Sequence, residues 1–221
     1  MVTHALDATG RPIGVNLGFR AKRLARFVAI LDEVIAARGS ARVLDLGGTA
    51  EYWTALEEVW AGRPVSFTLV NLFPQKVADA RFTALEGDCR ALPQLADGSF
   101  DIVHSNSVIE HVGRWADMKA FAGEARRLAP RLFVQTPSFW FPIEPHFKVP
   151  FFHWLPEPVR FAILRRFACG SFPRAETLED AQRFLEDSIL LDATRLAHLF
   201  PDARIERERV AGLTKSLIAV R

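Results

Sequence analysis

A chain of 221 residues holds one well-buried α/β domain and is too short for two comfortable ones. Its 49% apolar and 24% charged residues match an ordinary soluble globular fold. A formal net charge of +2 gives no general polyanion-binding signal, and no apolar run approaches the ~18 residues that cross a membrane.

The stretch "MVTHALDATGRPIGVN" has neither a basic start nor an apolar core, so no secretory signal is expected. Cys89 and Cys169 stand in no metal-ligand spacing; free thiols in a reducing, cytoplasmic setting, and no metal site, are expected. Apolar residues at Leu24, Phe27, Val28, Leu31, Val34 and Ile35 share one helical face, predicting a helix over Leu17–Arg38 that Gly39 ends. Arg20, Arg23 and Arg26 are expected as its solvated face.

"ARVLDLG" then reads as a short strand buried on both sides, as in a parallel sheet. A helix over about 51–60 leads to a second strand, "VSFTLVNL". "DARFTALEGD" holds a third and "SFDIVHSN" a fourth. Trp115–Leu128 reads as helix, "RLFVQTP" as a fifth strand and "DATRLAHLF" as a capped helix. "ARIERERV" and "KSLIAV", joined by Gly212, close the described pattern as two further strands. Alternation of strands and helices predicts a doubly wound, mostly parallel seven-stranded sheet with an antiparallel last strand.

The turn after the first strand carries the chemistry. In open α/β sheets, ligands bind beyond the carboxyl ends of the strands. Gly47 and Gly48 fall there, where a side chain would block a ligand lying on the turn. A dinucleotide-binding turn would carry G-x-G-x-x-G. Here Asp45 stands where its first glycine would be, and a carboxylate there repels pyrophosphate but attracts an ammonium group. S-adenosylmethionine, a nucleoside with a cationic amino-acid tail, fits that requirement.

The ordered series "VLDLGG", "LVNL", "EGDCRALP", "FDIVHSNSVIEHV" and "RLFVQTP" resembles the class I S-adenosylmethionine-dependent methyltransferases, and among them the small bacterial type 11 group. The resemblance covers residues 42–137 and implies S-adenosylmethionine as cofactor. It implies that Asp45, Gly47 and Gly48 hold the amino-acid end and that Asn71 accepts from a ribose hydroxyl in place of the usual acidic residue. Leu72 would pack on the adenine, Asp88 accept from its amino group, and Cys89 offer its backbone amide. Ser105 and Asn106 would border the methyl group. The turn departs from the family pattern at Thr49, Ala50 and Glu51, where the third glycine is missing.

Between the fifth strand and the next sheet helix lies the most individual segment, 138–178. It holds ten aromatic residues between Phe139 and Phe172 and prolines at 142, 145, 150, 156 and 158. The family resemblance implies an acceptor-side insertion within a single methyltransferase domain spanning 1–221, and its composition suggests a small apolar or aromatic acceptor, with a lipid-linked one included. A basic amphipathic helix is expected at 158–168, packed on its own domain, with peripheral membrane contact as the alternative. His111 and His146 are the candidate bases, needed where the acceptor is a hydroxyl. Glu110 is expected to orient its loop and His104 to be a satisfied core residue. Competing functions are a non-catalytic methyltransferase-like binding domain and a nucleic-acid methyltransferase. The low net charge and the "SNSVIEHV" after strand four argue against the latter, so no nucleic-acid partner is expected.

Overall fold

The computed structural model describes residues 17–73 and 75–221, so the N-terminal stretch, in which no secretory signal is expected, lies outside the described residues. Helix α1 spans Leu17–Arg38. Gly39, at φ 83°, ends it and lets strand β1 (Ala41–Leu46) begin two residues later. The elements that follow are α2 (Ala50–Ala55), α3 (Glu57–Trp60), β2 (Val65–Asn71), β3 (Phe82–Glu86) and β4 (Ile102–Asn106). Next come α4 (Trp115–Leu128), β5 (Arg131–Pro137), α5 (Glu157–Leu164), α6 (Leu178–Glu186), α7 (Ala193–Leu199), β6 (Arg204–Val210) and β7 (Leu213–Val220).

The strands form one sheet in the order β3-β2-β1-β4-β5-β7-β6. The first five pair in parallel, and only β7 runs against its neighbours, β5 and β6. Strand alternation sends successive side chains to opposite faces. Val43, Phe67, Ile102, Phe133 and Ile218 join α1, α2 and α3 in one core. Leu44, Leu46, Val103, Leu132, Val134 and Ala219 join α4 and α7 in the other. A third, separate cluster gathers Phe147, Phe152, Leu164, Cys169, Phe172, Phe184 and Leu185 under the aromatic segment.

Two expected elements differ. The single helix over 51–60 is two, because Leu56 leaves helical geometry (φ −119°, ψ 19°) and turns its own side chain into the core. The Trp60 indole donates to the Trp53 carbonyl at 2.9 Å, supplying a partner near the break. The helix expected at 158–168 is shorter: α5 ends at Leu164, so Arg165 and Arg166 lie beyond it. Leu164 is fully buried in the third cluster, whereas Val159 and Phe167 are exposed.

Arg23 is not part of a solvated face. It is 7% exposed, and its guanidinium donates to Asn106 (2.7 Å), Gln135 (3.0 Å) and Glu208 (2.7 Å), with a longer contact to Ser216. The basic side of α1 therefore lies over the carboxyl ends of β4 and β5. Burial lowers the Arg20 pKa, with Tyr52 opposing, and Arg26 reaches Glu206 at 3.7 Å. No helix among the described residues is long and apolar enough to cross a membrane.

Candidate active site

The glycine turn follows β1 at the carboxyl edge of the sheet. Gly47 has φ 77°, a conformation that side chains rarely adopt, and a Cβ there would lie 2.5 Å from Val108. A Cβ on Gly48 would lie 1.8 Å from the Asp45 carboxylate. Both bare positions are thus required by the chain's own packing. Thr49 then caps α2, its hydroxyl accepting from the Tyr52 amide.

Asp45 points to the α1 side of the sheet and is 1% exposed. One carboxylate oxygen accepts from the Trp53 indole at 2.7 Å, and the other pairs with His104 Nδ1 at 2.8 Å. An ammonium-facing carboxylate was expected; each oxygen accepts one hydrogen bond inside the core and keeps a further lone pair. His104 is only half satisfied, since its buried Nε2 has no hydrogen-bond partner among the described residues.

The other expected cofactor residues do reach the same sheet edge. Asn71 ends β2, where its amide oxygen accepts from the Leu72 amide at 2.9 Å, leaving a second lone pair. Leu72 and Phe73 beside it are 60% and 55% exposed, an apolar shelf at the end of the strand. Asp88 forms a turn with Arg90, whose guanidinium hydrogen bonds hold its carboxyl below the usual range. Burial pushes the Cys89 thiol up to about 12, so it carries no nucleophilic character. Ser105 is fully buried and donates to the Leu46 carbonyl, while Asn106 accepts from Arg23. Ser107, next along, holds φ 57° and donates to Gln135.

His111 and His146 lie together. The His111 and His146 rings meet edge to face with centroids 4.6 Å apart. His111 Nδ1 lies 2.7 Å from the Asp187 carbonyl. His146 Nδ1 pairs closely with Glu144, a carboxylate 2% exposed that also accepts the His146 and Phe147 amides. For His146, burial pulls the pKa down, but the Glu144 hydrogen bond and charge outweigh it and the net shift is upward. Glu110 is 1% exposed, and burial raises its pKa against the opposing charge of His111. One of its oxygens accepts from Thr136 at 2.9 Å.

Beside this group opens a cavity of about 710 Å³ whose wall includes Phe139, Phe147, Glu144, His153, Arg160 and Arg195. The wall mixes rings with charges, so aromatic composition alone overstated its apolar character. His153 Nε2 donates to the Phe139 carbonyl (2.8 Å), and burial lowers its pKa. Sequence reasoning missed Trp53 and the burial of Arg23. Trp53 had a visible signal, a tryptophan shortly past the glycines, while Glu144 and His146 already stand out as the polar pair of an apolar run.

Residues 44–131 match the family model described as "Methyltransferase domain". This stretch, from β1 to the start of β5, is similar to methyltransferase domains. No curated protein matches it in sequence. Among solved structures, the 1,6-didemethyltoxoflavin-N1-methyltransferase of Burkholderia thailandensis, with bound 1,6-didemethyltoxoflavin and S-adenosylhomocysteine, is similar at 16% identity. That likeness covers 90% of this chain and 76% of the other, with a TM-score of 0.51. A methyltransferase assigned to an antibiotic biosynthesis pathway in Anabaena variabilis ATCC 29413 is 18% identical over 83% of this chain, with a TM-score of 0.46. The chain spans 64% of that protein's length. At these identities the methyltransferase likeness is one of fold.

Proposed function

We propose that this domain transfers a methyl group from S-adenosylmethionine to a small-molecule acceptor. The observation that carries this reading is the methyltransferase domain's glycine turn, set at the carboxyl edge of a sheet ordered β3-β2-β1-β4-β5-β7-β6. Gly47 and Gly48 bring the backbone close, Asn71 offers its remaining lone pair to a ribose hydroxyl, and Leu72 shelves the adenine. Asp88 and the Cys89 amide address the ring edge. Ser105 and Asn106 border the methyl group. Asp45 serves by fixing the turn through Trp53 and His104 rather than by meeting the ammonium itself.

The reaction is an in-line displacement: the acceptor's lone pair forms the new bond to the methyl carbon as the sulfur–carbon bond breaks. Orientation can supply roughly 7–11 kcal/mol of such a barrier. Segment 138–178 forms the acceptor side, and the charged residues on the cavity wall favour a ring or apolar body bearing ionised or polar substituents. His146, oriented by Glu144, takes the proton when that acceptor is a hydroxyl, with His111 beside it. Calorimetric titration with S-adenosylmethionine and its demethylated product tests the cofactor half. Asn71→Asp should bind at least as tightly, because the ribose bond becomes charge-assisted. Labelled cofactor with a metabolite extract then identifies the acceptor.

The commitment of both Asp45 oxygens favours one competing reading, a non-catalytic binding domain. Absence of cofactor binding in the same titration would decide for it.

A further inference from the structure

Glu110, His111 and His146 each bring one ligand atom to within 4.8 Å of the other two. They come from separate places: Glu110 and His111 from the turn after β4, and His146 from the aromatic segment after β5. Two imidazoles and one carboxylate form a donor set suited to divalent first-row transition ions.

The hydrogen bonds behind each donor decide whether it can ligate. The Asp187 carbonyl can only accept, so His111 Nδ1 carries the proton and the opposite nitrogen of a neutral ring is a bare lone pair. The same holds for His146, whose Nδ1 faces the Glu144 carboxylate. A carboxylate or carbonyl behind each histidine is the usual outer support of a metal-binding imidazole. Glu110 completes the pattern. Thr136 holds one oxygen, while the other, Oε1, is buried and has no partner among the described residues. An unpaired buried carboxylate oxygen is costly, and a cation within reach removes that cost. His111 is the exposed member, which gives an ion a way in.

We infer that Glu110, His111 and His146 bind one divalent transition-metal ion of the zinc, cobalt or manganese class. Three protein ligands leave coordination positions open. The role of those positions rests on the methyltransferase reading: they would hold an acceptor oxygen, and the ion would lower that group's pKa in place of a histidine base. Metal binding itself does not depend on that reading.

The test uses the full chain, stripped with a chelator and titrated with Co²⁺ by absorption and with Zn²⁺ by calorimetry. One ion per chain at micromolar affinity or better, with the visible spectrum of histidine-ligated cobalt, is expected; Mg²⁺, which prefers oxygen ligands, should not compete. His111→Ala, which alters an exposed side chain, should abolish the cobalt spectrum while the melting temperature of the metal-free protein stays near wild type. Glu144→Gln should weaken binding roughly 10–100-fold through the orientation of His146. No binding by the wild type, or unchanged binding in His111→Ala, overturns the inference. S-adenosylhomocysteine titrated in parallel separates the two claims. Cofactor binding without metal binding overturns only the metal site; metal binding without cofactor binding overturns only the methyltransferase reading.

Discussion

The indole of Trp53 donates to the Asp45 carboxylate at 2.7 Å, so the residue eight positions past the aspartate holds it inside the core. Asp45→Ala leaves the indole N–H without an acceptor and breaks the pairing with His104 Nδ1, at about 1–3 kcal/mol for each unsatisfied buried group. Denaturant unfolding of the cofactor-free protein should therefore show a loss of about 2–6 kcal/mol. Unchanged stability with weakened cofactor affinity would instead restore Asp45 to a direct ligand role.

Gly48 gives a linked prediction. Gly48→Ala drives a methyl group into the Asp45 carboxylate, an overpacking that costs typically about 1–3 kcal/mol. Combining it with Asp45→Ala removes the obstacle, so the double variant should lose less than the sum of the two singles. Strict additivity would mean the turn moves aside without involving Asp45.

The buried Arg23–Glu208 pair ties α1 to β6 with both side chains 8% exposed. Removing one partner leaves a charge unpaired in the interior, at about 3–5 kcal/mol. Glu208→Ala should approach that figure by chemical denaturation. A double-mutant cycle with Arg23→Leu should recover part of it, because neither charge then remains.

Acid sensitivity is expected at Glu124. Its carboxylate accepts from the Leu92 amide at 2.8 Å and from Arg127, whose hydrogen bonds hold its pKa below the usual value despite opposing burial. A depressed folded pKa gives stability that is complete above the unfolded value of ~4.3 and is lost as pH falls through the folded value. Wild type and Glu124→Gln should differ by about 1–2 kcal/mol at neutral pH. That gap should close below about pH 4; a constant gap would show that charge plays no part.

At the hairpin between β6 and β7, Ala211 holds φ 49° and Gly212 φ 82°. Two positive-φ residues in a two-residue loop favour asparagine then glycine. Ala211→Asn should raise stability by about 0.5–1 kcal/mol, seen as a higher denaturation midpoint with the same slope.

The sheet was readable because parallel strands such as "ARVLDLG" are short apolar runs between turn residues, and that signal is local. So was α4, whose bounds agree with the expected Trp115–Leu128. What escaped was set by partners far along the chain. Periodicity places Arg20, Arg23 and Arg26 on one side of a helix, but nothing nearby says that the sheet's polar edge lies opposite. Likewise the core partner of Asp45, His104, stands 59 residues on and leaves no local signal. Glu110 and His111 stand adjacent in the chain, yet their convergence with His146 depends on the path of the aromatic segment.

The Arg23 contacts also order events during synthesis. Glu208 follows Arg23 by 185 residues, a lag of roughly 10–40 s at ribosomal speed. Until β6 and β7 emerge, the guanidinium has Asn106 and Gln135 but neither Glu208 nor Ser216. The central strands can assemble around β1 meanwhile, but the end of α1 above them stays unsealed. The seal between α1 and the sheet is thus expected to be among the late-forming contacts, since it needs the β6–β7 hairpin.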